Sequence, residues 1–300
     1  MGAFDINCAA KRKNTGINRL CQDLGPIAGF MLTPYNWEKS QDDIVLEATF
    51  NTAIHADVAE RIYPFPPVLA MTNNSEETVY QELALGRLFV KNGKTILAFE
   101  MDSSRYKHEA LKSHSLQKCG IVLFDLQNRL HGVRSGENFK AINLQEFVVE
   151  KLIMNDGAGE ATRTRVSLVL ADPEEFENLP AVVSGLPFQL SALEGLTDIN
   201  VDVVSSSGTG VVVNFSVDKS GQPFNPVGPT AEPLTDGDVV VKTSAGVVVA
   251  ITTVTSNNGV ATVAATLTPG ATYTVDLYKP SLMVTKGYES TGPASFTVPN

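Results

Sequence analysis

Val260-Ala261-Thr262-Val263-Ala264-Ala265-Thr266-Leu267-Thr268-Pro269-Gly270-Ala271-Thr272-Tyr273-Thr274-Val275 is the stretch that decides the fold. Its first half alternates. Val260, Thr262, Ala264 and Thr266 fall on one side of an extended chain, and Ala261, Val263, Ala265 and Leu267 on the other. A period of two belongs to a strand with one dry and one wet face. Pro269-Gly270 turns the chain, and Tyr273 to Val275 resumes a strand.

Outward from this stretch the same pattern repeats. Ile199–Val204, Val211–Val217, Val239–Thr243, Val247–Thr255, Val260–Leu267, Tyr273–Leu277 and Ala294–Val298 are β-branched runs separated by Gly, Pro, Ser, Asn and Asp. Seven short strands in roughly 100 residues predict an immunoglobulin-like sandwich. Leu267 to Val275 also resembles the corner between the fifth and sixth strands of fibronectin type III and related bacterial domains. That resemblance implies a structural role for Tyr273, its hydroxyl bonded back to the upstream backbone. The chain departs from the pattern in having no tryptophan on the second strand and no cysteine anywhere in this region.

Composition changes near residue 185. Residues 1–185 carry 24 acidic and 19 basic side chains, residues 186–300 only 9 and 4. All four histidines, Trp37 and the three cysteines (Cys8, Cys21, Cys119) lie in the first part. Two prolines and a glycine in Leu179 to Pro187 mark the break, so the expected domains are 1–185 and 186–300. The whole is expected to be mainly β: an N-terminal barrel or sandwich with one or two packed helices, then the immunoglobulin-like sandwich. Residues 1–40 have weak periodicity and are read as an extended arm.

The clearest local signal in the first domain is Arg87-Leu88-Phe89-Val90-Lys91-Asn92-Gly93-Lys94-Thr95-Ile96-Leu97-Ala98-Phe99. Asn-Gly between apolar runs predicts a two-residue type I′ hairpin, both turn residues at positive φ. That register opposes Val90 with Thr95, Phe89 with Ile96, and Leu88 with Leu97. Both faces are then apolar and need cover, which makes Leu88, Phe89, Val90, Asn92, Gly93, Ile96 and Leu97 the candidate subunit interface. Elsewhere the sequence predicts strands over Ile44–Phe50, Gly120–Leu126, Phe147–Met154 (with a helix as its alternative) and Thr164–Leu170, and a helical turn over His55–Ile62. A helix capped by Ser104 should present Tyr106, Ala110 and Leu111, and a short helix should start at Asp172-Pro173.

No phosphate loop, nucleophile elbow, zinc-protease motif or paired cysteine motif occurs, so no catalytic, cofactor or metal residue is assigned. His55, Asp57 and Glu60 spread over too wide an arc to hold an ion. The net charge of −10 argues against tight nucleic-acid binding. No apolar run reaches the length of a membrane span and no secretory signal is read at the start, so no membrane anchor is expected.

The order of elements is similar to that of the major tail (tube) proteins of long-tailed bacteriophages: a β domain with a long hairpin and a helix on its sheet, then an immunoglobulin-like appendage. The resemblance covers both domains but rests on no diagnostic motif. It implies a structural virion protein that is not an enzyme, assembles with itself into rings and with other virion proteins, and is built in the host cytoplasm. Leu85–Glu100 would then bridge neighbours, Met1–Trp37 would link rings, and Gly185–Asn300 would decorate the outside. A head-decoration protein, or a cell-surface protein binding carbohydrate or protein through its sandwich, would share these features.

Overall fold

The computed structural model describes residues 25–65, 67–83, 86–154, 162–218, 221, 234–235, 237–277 and 287–300. The protein is mainly β, with 22 strands and three α-helices among these residues. It divides into two compact units, Met1–Leu193 and Glu194–Asn300.

The first unit contains β1 (Ile27–Pro34), β2 (Glu38–Lys39), α1 (Glu47–Ile54), β3 (Tyr63–Pro64), β4 (Val68–Asn73), β5 (Val79–Leu83), β6 (Gly86–Lys91), β7 (Ile96–Asp102), α2 (Arg105–Ser113), β8 (Cys119–Asp125), β9 (Leu130–Ser135), β10 (Asn138–Lys140), β11 (Ile142–Ile153), β12 (Arg163–Leu170), α3 (Pro173–Asn178) and β13 (Pro180–Val183). The sheet runs β2-β10-β9-β8-β11-β12-β7-β4, with β1 added on β8, β3 on β1 and β13 on β9. β11 joins two layers. It pairs with β8 at Ile142 and Asn143, then with β12 from Leu144 onward, and register shifts after Leu144 and Val149 bend it between them.

β1 and β8 are buried on both faces. Phe30, Leu32, Ile121 and Leu123 enter one core with Phe99, Phe147 and Leu168. Met31, Val122 and Phe124 enter a second core closed by Phe50, Ala53 and Ile54 of α1. This corrects two expectations. Ile27–Pro34 and the buried Trp37 belong to the body rather than to an arm, and of the expected arm, residues 1–24 lie outside the described residues. The segment expected as a strand over Ile44–Phe50 leads into α1 instead. There Ser40 Oγ accepts from Asp43 N–H to set a turn, and Phe50, Ala53 and Ile54 bury at helical spacing. α1 ends at His55, and of the helical turn expected over His55–Ile62 there is a single turn closed by Glu60 N–H on Asp57 O, after which Ile62 N–H donates back to Ala53 O.

The helix α2 starts where expected, Ser104 Oγ accepting from Lys107 N–H. It docks through a different stripe. Leu111 is buried, whereas Tyr106 and Ala110 are exposed. His108 Nδ1 sits 3.1 Å from Thr164 Oγ1, and the His114 ring lies 4.5 Å from that of Tyr63. α3 has Asp172 accepting from Glu174 and Glu175 N–H, with Pro173 in its first turn. The unit ends later than composition indicated. Phe188, Leu190 and Leu193 are part of the core under α1, so the division falls after Leu193 and not at 185.

The second unit contains β14 (Thr197–Ser207), β15 (Gly210–Val217), β16 (Val239–Thr243), β17 (Val248–Val249), β18 (Ile251–Asn257), β19 (Val260–Ala265), β20 (Thr272–Leu277), β21 (Tyr288–Ser290) and β22 (Ala294–Thr297). One sheet is ordered β18-β19-β15-β14-β21, the other β17-β16-β20-β22. With β14 as strand A and β22 as strand G, this is D-E-B-A facing C′-C-F-G, the immunoglobulin arrangement, with the short β21 added parallel to strand A. The run Val247–Thr255 is not one strand: it crosses from the second sheet to the first at Ala250. Ala261, Val263, Ala265 and Leu267 are buried and meet Val241, Val275 and Phe215. At the corner, Thr268 N–H donates to Tyr273 Oη at 2.9 Å, and the Tyr273 ring stacks on Phe296.

Candidate interaction arm and the cavity at its root

β4 to β7 form one long antiparallel arm. Near the body β4 pairs with β7, Val68 opposite Met101 and Asn73 opposite Leu97. The ladder continues outward, with Asn74 N–H donating to Ile96 O and Glu76 N–H to Lys94 O. Beyond that, β5 pairs with β6, from Val79 opposite Lys91 to Leu83 opposite Gly86.

The expected Asn92-Gly93 hairpin is therefore overturned. β6 pairs with β5, Leu83 opposite Gly86, and not with β7. Neither Asn92 nor Gly93 has positive φ. Gly93 serves another purpose: a Cβ there would lie 2.1 Å from the Glu76 carbonyl oxygen, so only glycine lets the two legs pass. Phe89 faces Tyr80, their rings 6.3 Å apart edge to face, and Leu88 faces Gln81. Of the candidate interface residues, Leu88, Phe89 and Val90 stand about half exposed on the outer arm, and Asn92 is exposed. Ile96 is half-buried at the arm's root and Leu97 is buried in the body.

Exposed apolar side chains concentrate on this arm. Leu69, Met71, Val79, Tyr80, Leu88, Phe89 and Val90 are all more than 40% exposed. β4 exposes every residue after Val68, so both its faces lie open. A two-stranded ribbon has no core of its own and is at best marginally stable in water.

At the arm's root lies a cavity of about 260 Å³, lined by Ala28, Phe65, Val68, Phe124, Leu126 and Leu190 among others. Its wall is held by the turn between β8 and β9. The buried Asp125 Oδ1 accepts from Gln127 and Arg129 N–H at 2.9 and 3.0 Å. Its Oδ2 accepts from Arg129 Nε at 2.7 Å, Arg129 Nη2 at 2.6 Å and His131 Nε2 at 2.9 Å. Burial raises the Asp125 pKa, but the bonds from Arg129 and His131 outweigh it and hold the carboxyl below its usual range. Burial pushes the His131 imidazole down, against the pull of Asp125. Neutral His131 thus donates to a charged carboxylate. Asn128, at φ +60°, then donates from Nδ2 to Phe188 O and accepts Leu190 N–H at Oδ1, pinning the cavity wall.

This trio, buried at Asp125 and His131, escaped the motif search because it matches no catalytic spacing; its signal is an acid at a strand end, four residues before an arginine and six before a histidine. His55, Asp57 and Glu60 are not gathered: no group of three His, Cys, Asp or Glu among the described residues could hold a metal ion. Burial raises the Cys119 thiol to about 11, which keeps it protonated. No described helix is long and apolar enough to cross a membrane. No protein-family model matches the chain, and no curated protein matches it.

Proposed function

We propose that this protein is a self-assembling structural subunit of a bacteriophage virion, building a tail tube or ring through its first unit and carrying the immunoglobulin-like unit as an outer decoration. The observation that carries this is the arm. Five large apolar side chains, Val79, Tyr80, Leu88, Phe89 and Val90, stand exposed on a two-stranded ribbon, β5 and β6, that cannot stabilise itself, and Leu69 and Met71 add to them on the edge strand β4. Covering each would contribute about 1.5–3 kcal/mol, so the contact of one arm with a neighbour is worth several kcal/mol before ordering costs. A patch this size on a free monomer is a liability; in a closed ring it is the joint. Gel filtration with light scattering and negative-stain microscopy of the purified chain test this. Rings or tubes are expected. A chain that stays monomeric at high concentration refutes assembly.

A further inference from the structure

The cavity at the arm's root and the aromatic pair near its tip are complementary, and within one chain they lie apart along the ladder. Tyr80 and Phe89 are about half exposed, and neither lines the cavity. Tyr80 lies twelve residues along a paired ladder from Val68, which does line it. At about 3.3 Å per residue that is roughly 40 Å. A compact domain of this length has a diameter of about 40 Å as well, from its expected radius of gyration. The arm is long enough to cross a neighbouring body.

The cavity suits an aromatic side chain. Its walls include the rings of Phe65 and Phe124 and the side chain of Leu190, and its rim carries the exposed Gln189 and Ser191. An apolar cavity of about 150 Å³ already accepts one benzene ring, so 260 Å³ takes the Phe89 ring and part of Tyr80. Gln189 and Ser191 can then bond the Tyr80 hydroxyl at the rim. Among the described residues the only other exposed large aromatic is Tyr106, which stands on α2.

Resting on the assembly reading above, we infer that the cavity receives the Tyr80–Phe89 pair of a second copy of this chain. The donor and the acceptor are different surfaces of one unit, so the contact is head-to-tail and repeats from copy to copy.

Two measurements test it on the full-length chain. In the first, benzoylphenylalanine replaces Phe89 and the assemblies are irradiated. Cross-links to peptides of another chain carrying Phe65, Phe124 or Leu190 are expected, and cross-links confined to other surfaces overturn the inference. In the second, Ser191→Trp fills the cavity from its rim and Phe89→Asp removes the donor. Each variant alone should assemble at least tenfold more weakly than wild type with an unchanged melt, and an equimolar mixture should recover one-to-one dimers. If Phe89→Asp blocks assembly while folded Ser191→Trp assembles like wild type, the cavity inference falls and the assembly reading stands. If the wild type is itself monomeric, both fall. If Ser191→Trp does not fold, the cross-links decide.

Discussion

Gly93 passes so close to Glu76 that a Cβ on it would sit 2.1 Å from the Glu76 carbonyl oxygen, inside any tolerated contact. The obstacle is backbone, which cannot swing aside as a side chain can. Gly93→Ala should therefore pry the legs apart at a cost of about 1–3 kcal/mol, typical of overpacking. Amide exchange should quicken from Asn74 to Ile96, while the melt of the body, whose cores lie elsewhere, stays near wild type. Unchanged protection of the Glu76 and Ile96 amides would show that the legs do not meet there.

The corner at Tyr273 gives a second prediction. Thr268 N–H has the phenolic oxygen as its acceptor, and Tyr273→Phe leaves that donor unanswered while keeping the ring on Phe296. The denaturant midpoint of the second unit should fall with its m-value unchanged. An equal midpoint would mean that water replaces the hydroxyl without loss.

The placement of the domain boundary is testable by truncation. A fragment ending at residue 185 lacks Phe188, Leu190 and Leu193, which fill the core under α1, and strips Asn128 of both its side-chain partners. At about 1.5–3 kcal/mol for each buried side chain, it should be several kcal/mol less stable than a fragment ending at Leu193. Equal melting temperatures would place the three residues outside the core.

What the sequence made legible follows from where the forces are local. Strands of the sandwich announce themselves because each buries every second residue against a partner sheet, as at Ala261, Val263 and Ala265. The hairpin misled because Asn92-Gly93 is a strong local turn signal, yet β6 pairs back with β5 and the pairing of β7 is settled by a long-range ladder with β12. Phe50, Ala53 and Ile54 carried a helical period that the preceding Ile44-Val45-Leu46 masked. The break read at Leu179 to Pro187 falls too early because Pro180, Gly185 and Pro187 are visible in sequence, and the burial of Phe188, Leu190 and Leu193 just beyond them is not.

Acid should unsettle the first unit in two windows. His131 and His114 have pKa values lowered by burial, so below about 6.5 the unfolded chain takes up protons first and stability falls with pH. Asp125 has a folded pKa below its usual value. Its contribution is whole above about 4, the unfolded value, and is lost as pH drops through the folded one. His114→Phe, which preserves packing on Tyr63 and Phe65, should flatten the upper window. Asp125→Asn should cost about 1.5–3 kcal/mol at neutral pH by replacing the charged acceptor that the part-buried Arg129 and the buried His131 share with a neutral amide, and should flatten the lower window. Melting curves from pH 7 to 3 on each variant decide this, and a wild-type midpoint independent of pH would refute both assignments.

Phe89 and Leu97 lie eight residues apart, one on the outer ribbon and one in the body, and a charge should do opposite things at the two positions. Phe89 is 53% exposed on the outer ribbon, where Asp stays hydrated and costs the monomer little. Leu97 is 8% exposed and belongs to the core with Phe99, Phe147 and Leu168. An aspartate there must either bury its charge or open the sheet, and both cost several kcal/mol. Phe89→Asp should therefore melt like wild type and fail to assemble, whereas Leu97→Asp should unfold the first unit before assembly can be asked about. Ile96→Asp, half-buried at the root, should fall between them. Thermal melts and light scattering on the same three proteins separate folding from association. An arm variant that melts normally and still forms rings would remove the arm from the interface.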